Sequence, residues 1–227
     1  MKKLSLLLFS MISIFFLSAQ IPGSLDHNFG DTGIVLLDHN YNSQNNIIQG
    51  SAIQDDSKLV FCGYSWGPDA TGYNFIRLMP DGTSDENFGT NGVVVINQGT
   101  LSSEVRDICI QDDGKIVGVG TTEDSTYSNF KMSIVRINSD GILDDSFGLN
   151  GIVEIDMGPN TDIFGWALKI QNDGKILAVG NVSSLPDYNS IICRLNQDGS
   201  LDQTFGNAGL VLFDIVDKIE NLNSIEI

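Results

Sequence analysis

Short runs of Val, Ile and Leu alternate along this chain with polar stretches rich in Gly, Asp, Asn and Ser. A run Val105–Ile110 leads into the turn Gln111-Asp112-Asp113-Gly114-Lys115, and a second run, Ile116–Val119, follows it. After a Thr- and Ser-rich connector comes Met132–Ile137, closed by Asn138-Ser139-Asp140-Gly141, and then Ile152–Ile155. Branched residues fill the runs and turn formers separate them, so the period predicts four short strands joined by hairpins. Asp-Gly between apolar runs is a strong hairpin signal, because Gly accepts the positive φ that the turn requires. The order repeats as Trp166–Ile170, Ile176–Val179, Ile191–Leu195 and Leu210–Phe213. No segment keeps helical periodicity beyond two turns, and the predicted class is all-β.

Other landmarks keep the same beat. The polar turn recurs at Gln54 and Gln171, with Ser57 in the Gly position of the first copy, which predicts a slightly strained turn there. A run with one arginine ends in Asp-Gly at Arg77 to Gly82, Arg136 to Gly141 and Arg194 to Gly199. An Asp-x-x-Phe-Gly turn follows each, starting at Asp85, Asp144 and Asp202, and a partial copy spans Leu25 to Gly30. Phe29, Phe88, Phe147 and Phe205 are 59, 59 and 58 residues apart, the spacing of a repeat architecture.

The second run of each period is apolar at consecutive positions, as in Ile176-Leu177-Ala178, so that strand is covered on both faces. The first run alternates, placing Trp166, Leu168 and Ile170 on one face. Four antiparallel strands with a buried inner member describe a propeller blade. The expected architecture is a β-propeller-like array of about three complete repeats with partial ones at both ends, an incomplete ring; a sandwich and a solenoid are the alternatives. The expected divisions are a signal peptide at 1–19, a partial repeat at 20–46, repeats at 47–105, 106–163 and 164–218, and the start of a further repeat at 219–227. Open blade faces at the two ends lead to the expectation of a fragment of a longer protein, covered by further repeats or by self-association.

The combined motifs Gln-Asp/Asn-Asp-Gly-Lys-Ile, Arg-Leu/Ile-Asn-x-Asp-Gly and Leu-Asp-x-x-Phe-Gly-x-x-Gly resemble the delta-60 repeat of exported bacterial proteins, over roughly Leu25 to Phe213. The N-terminus, with Gln20 directly after Ser18-Ala19, is similar to those of Bacteroidetes. The resemblance implies a secreted or surface protein with propeller-like repeats, of the kind that often carries a C-terminal sorting domain for type IX secretion, which this sequence lacks. It supplies no catalytic residue.

The first twenty residues bear on the cellular route. Lys2 and Lys3 precede an almost wholly apolar Leu4–Phe16, and Leu17-Ser18-Ala19 offers small residues for cleavage, so a secreted or cell-surface location is expected. No later stretch is long and apolar enough to span a membrane as a helix. The chain carries 12 Lys and Arg against 29 Asp and Glu, a net charge of −17. That excess argues against nucleic acid and anionic membranes as partners. The odd number and uneven placing of Cys62, Cys109 and Cys193 point to buried small residues rather than a disulfide framework or a zinc site.

Candidate chemistry is sparse. Arg77, Arg136 and Arg194 lie in apolar runs, where an unpaired charge is costly, and the equally periodic Asp85, Asp144 and Asp202 are their expected ion-pair partners. A ring of ligand-binding arginines is the functional alternative. Asn138, Asp140, Asp144 and Asp145 offer hard oxygen ligands, as do Asn196, Asp198 and Asp202, but they lack the spacing of an EF-hand. Turns favour the same residues, so no cofactor is expected and calcium is the alternative. His27 and His39 are remote from any nucleophile motif, and Gly118-Val119-Gly120 lacks the third glycine of a nucleotide loop. The connectors Trp66–Tyr73, Asp124–Asn129 and Ser183–Asn189 differ most between copies, which makes Trp66, Tyr73, Tyr127 and Tyr188 the candidates for protein or glycan contact. The functional expectation is an exported, non-enzymatic interaction or adhesion scaffold. The alternatives are part of a secreted hydrolase and a calcium-stabilised surface module.

Overall fold

The computed structural model describes residues 23–37, 45–66, 72–97, 102–123, 129–184, 187–213 and 222–227. The signal-peptide segment, His39 and Tyr127 lie outside them, as does the side chain of Trp66. The described residues form twelve strands: β1 (Asn45–Ile53), β2 (Leu59–Trp66), β3 (Tyr73–Leu78), β4 (Val93–Ile96), β5 (Ser103–Ile110), β6 (Ile116–Glu123), β7 (Phe130–Ile137), β8 (Ile152–Ile155), β9 (Asp162–Ile170), β10 (Ile176–Ser184), β11 (Asp187–Leu195) and β12 (Leu210–Phe213). They form three sheets of four, in the orders β1-β2-β3-β4, β5-β6-β7-β8 and β9-β10-β11-β12, antiparallel throughout. Each sheet starts two or three residues before the repeat boundary reckoned from the motifs.

The sheets stack as blades, the first against the second and the second against the third, in an open propeller-like array. Val60, Phe75 and Phe88 of the first meet Val105, Ile116 and Val135 of the second. Val117, Ile134 and Phe147 of the second meet Leu168, Ile176 and Ile191 of the third. Strand β6 explains why its sequence does not alternate: Ile116 faces one core and its neighbour Val117 the other, so both carry fully buried side chains. Each such side chain stabilises the stack by roughly 1.5–3 kcal/mol.

Strands β1, β5 and β9 lie side by side across successive blades and form the inner edge of the array. Each contains a bulge at the same place, which leaves Gln49, Arg106 and Trp166 unpaired in the ladder. The neighbouring strand carries Gly63, Gly120 or Gly180 there, because a Cβ would run into the carbonyl oxygen of Ile47, Glu104 or Phe164. The bulge interrupts the simple alternation expected for β9: Leu168 and Ile170 share the core with the second blade, whereas Trp166 is half-buried outside it. The Ser183–Asn189 connector is also mostly strand, since Ser183 pairs with Tyr188 and Ser184 with Asp187.

Before the first blade, residues 25–36 reproduce a Phe-Gly turn and the start of an outer strand. Asp31 bridges Ile34 as Leu149 bridges Ile152 and Asn207 bridges Leu210.

Candidate functional site

The repeated arginines stand where the blades meet. Arg136 points out of β7 and donates from Nε to Asp144 Oδ2 at 2.8 Å, with its guanidinium 4.4 Å from the centroid of the Phe147 ring. Its Nη1 crosses the junction and donates to the carbonyl oxygen of Gln197 in the next blade. Lys115, from the polar turn, reaches the same carboxylate at 3.3 Å. Arg77 repeats the arrangement with Asp85 at 2.9 Å, Lys58 at 3.3 Å from that aspartate, Phe88 below, and the Ser139 carbonyl across the junction. Arg194 repeats it with Asp202, Lys175 and Phe205.

A second bond accompanies each crossing. Gly89 N donates to Asp140 O at 3.0 Å and Gly148 N to Asp198 O at 2.9 Å, tying each Phe-Gly turn to the next blade's Asp-Gly turn. Gly30 N makes the equivalent bond to Asp81 O at 2.7 Å, so residues 25–36 dock on the first blade as the edge of a preceding one would. Gly141 must lack a side chain here, since a Cβ would come within 2.5 Å of Val94 Cγ2 in the preceding blade.

Charge balance follows from this geometry. Burial raises the Asp144 pKa, but the Ser146 hydroxyl and amide, Arg136 and Lys115 outweigh it and hold the carboxyl at about 2. Burial likewise opposes the Asn87 amide, Arg77 and Lys58 at Asp85, whose pKa is also lowered. Asp202 is lowered chiefly by the Thr204 hydroxyl and amide, then by Lys175. The aspartates therefore stay ionised beside the guanidinium groups, and Arg77 and Arg136 tie blade to blade through the carbonyls of Ser139 and Gln197. The Asp140 carboxylate accepts from the Ile142 amide two residues on, and Asp144 from Ser146, the bonds of ordinary Asx turns. Among the described residues no group of three or more His, Cys, Asp or Glu is placed to hold a metal ion.

Between successive polar turns lie open clefts. One of about 500 Å³ has Asp55, Asp56 and Asp112 against Lys58 and Arg77. The next, of about 440 Å³, has Asp112 and Asp113 with the amides of Gln111, Gln171 and Gln197.

The aromatic candidates separate. Tyr73 is 1% exposed, at the first position of β3, and shares a 2.6 Å hydrogen bond with Ser133 of the next blade. It is a core residue, because the strand begins at the tyrosine rather than after it. Tyr188 is on β11 and exposed.

Sequence periodicity did not reveal a different group, on the inner edge. The Arg106 guanidinium stacks over the Trp166 ring, 3.8 Å from its centroid, and is 5.9 Å from that of Phe164. It pairs with Glu104 and donates to Gly165 O at 3.3 Å, while Gln49 donates to Glu104 at 3.3 Å. Burial lowers the Arg106 pKa, opposed by Glu104. The three bulge residues differ from blade to blade, so nothing in the repeat marks them; the only signal is the glycine opposite each.

Burial pushes the thiols of Cys62 and Cys193 up to about 12 and raises that of Cys109. All three are free, and His27 is exposed in the N-terminal unit.

Compared with known families, residues 54–88, 111–147 and 171–205 match the model of a β-propeller domain of unknown function, DUF5122. Each match runs from the polar turn through the arginine strand to the phenylalanine of the Phe-Gly turn. Sheets and matches together make this a propeller-like repeat protein. No curated protein matches the chain.

Proposed function

We propose that the chain is an exported, non-enzymatic β-propeller scaffold that binds a protein or glycan at the cell surface. The carrying observation is the division between repeated and unrepeated polar residues. Every repeated arginine is committed to an Asp and stacked on a Phe within its blade, whereas Gln49, Glu104, Arg106 and Trp166 form a half-open ladder along the inner edge. A stacked cation beside a carboxylate and an amide offers the flat, polar contact that saccharides and peptides use. Export is supported by the charged start, apolar run and small residues before Gln20, and by the delta-60 resemblance with its type IX secretion context.

The test is binding of the labelled chain to immobilised glycans and to intact cells, compared with Arg106→Ala. Retention without turnover, lost in the variant at unchanged melting temperature, is the expected result. Shortening of the glycans would instead identify a hydrolase. Retention indifferent to the substitution would remove the inner ladder from the function.

A further inference from the structure

The third blade repeats the donor side of a blade junction, and among the described residues nothing answers it. At the two inner junctions the Phe-Gly amide and the arginine Nη1 donate together to two carbonyls of the next blade's Asp-Gly turn. In the third blade Gly206 N and Arg194 Nη1 have no such acceptors. The Arg194 side chain is 21% exposed, against 6% and 5% for Arg77 and Arg136. Phe205 is half-buried where Phe88 and Phe147 are fully buried, and Phe213 is exposed where its counterparts Ile96 and Ile155 are buried.

We infer that this face of the third blade is a docking surface for a further blade of the same repeat, one presenting an Asn-x-Asp-Gly turn. The two inner junctions define the fit: an apolar sheet face for Phe205, Val211 and Phe213, equivalent to Phe147, Val153 and Ile155, and two turn carbonyls for the open donors. A second copy of this chain fits poorly. Its three Asp-Gly turns after the arginine strands are already engaged, at Asp81 by Gly30, at Asp140 by Gly89 and at Asp198 by Gly148. Residues near Ile227 mark the register of that blade. Ile227 lies against the Gln171–Asp173 turn, as Ile170 lines the cleft with Gln111 and Asp112 one blade earlier. The inner-strand place is therefore taken, and the incoming blade supplies the polar turn, the two middle strands and the Asp-Gly turn.

The test extends the full chain by a second copy of residues 171–213 placed after Ile227, which continues the repeat in register. Docking is expected to raise Tm by about 5 °C or more and to slow hydrogen exchange of the Gly206 amide by at least about tenfold. The same extension with valine for the glycine of its Asp-Gly turn is expected to do neither, since that Cβ would meet the Phe-Gly turn. Unchanged exchange at Gly206 in the extended chain, or equal protection by the valine version, would overturn the inference. So would sedimentation of the unextended chain as a dimer with Gly206 protected, which would make a second copy the occupant.

Discussion

Arg136 and Asp144 face each other at 2.8 Å in the junction between the second and third blades, with side chains only 5% and 8% exposed. The pair is local in sequence but its consequence is not, because the same guanidinium reaches the Gln197 carbonyl of the next blade. Removing one partner leaves the other charge buried and uncompensated. Arg136→Ala is therefore expected to destabilise the fold by about 3 kcal/mol or more, read from urea denaturation. Arg194→Ala removes a more exposed group with no carbonyl to cross to, and its loss should be clearly smaller. Equal losses would mean that the bond across the junction contributes nothing.

Acid sensitivity follows from the same carboxylates. The folded-state pKa of Asp144 is depressed from 3.8 to about 2, so its contribution is fully present above the unfolded value and disappears as pH falls through the folded one. Asp85 and Asp202 are lowered in the same direction and add to it. Unfolding free energy should be flat from neutral pH to about 5 and fall steeply between about 4 and 2. In Asp144→Asn that slope should be reduced and the neutral-pH stability already lowered. An undiminished slope in the variant would place the acid-labile groups elsewhere.

Ser57 adopts φ +65° at the position where Gly114 adopts +81° and Gly174 +78°. A non-glycine residue in that region is strained by roughly 1–2 kcal/mol, offset in part by the greater freedom glycine has when unfolded. Ser57→Gly should therefore stabilise the protein by up to about 1 kcal/mol. Gly141→Val should do the opposite, since its added atoms enter the preceding blade at Val94. Thermal melts of the two variants should move in opposite directions.

Much of this architecture was legible because its signals are local. Asp-Gly turns, branched runs and the 59-residue beat fix strand number and order without knowledge of what packs on what. The Arg–Asp pairing was legible for a related reason: a charge inside an apolar run needs a partner, and Asp85, Asp144 and Asp202 recur with the arginine once per blade. The arginines' crossing to the next blade was not, because a backbone carbonyl leaves no mark on residue identity. The Arg106–Trp166 stack was hidden by a bulge whose cause is backbone approach opposite Gly120 and Gly180. Tyr73 reads as the end of a variable connector, yet strand β3 begins with it and carries it into the core.

The two junctions solve one packing problem in two ways. In the first, the Tyr73 hydroxyl bonds Ser133, with the hydroxyls of Ser103 and Thr122, 3.0 Å apart, close by. In the second, the equivalent positions are Met132, Ile163, Val182 and Ile191, all buried and apolar. Burial raises the Tyr73 pKa, so the cluster stays neutral through physiological pH and rests on hydrogen bonds alone. Tyr73→Phe deprives Ser133 of its partner and should cost about 1–2 kcal/mol. Tyr73→Met adds a cavity to that loss and should cost more. Replacing all four residues by those of the second junction (Tyr73→Met, Ser103→Ile, Thr122→Val, Ser133→Ile) removes every hydroxyl and restores apolar volume. It should recover most of what Tyr73→Met loses. Urea midpoints of the single and quadruple variants decide it. A quadruple variant no more stable than Tyr73→Met would mean that the blade spacing of the first junction is set by the tyrosine itself, and that the two junctions are not interchangeable.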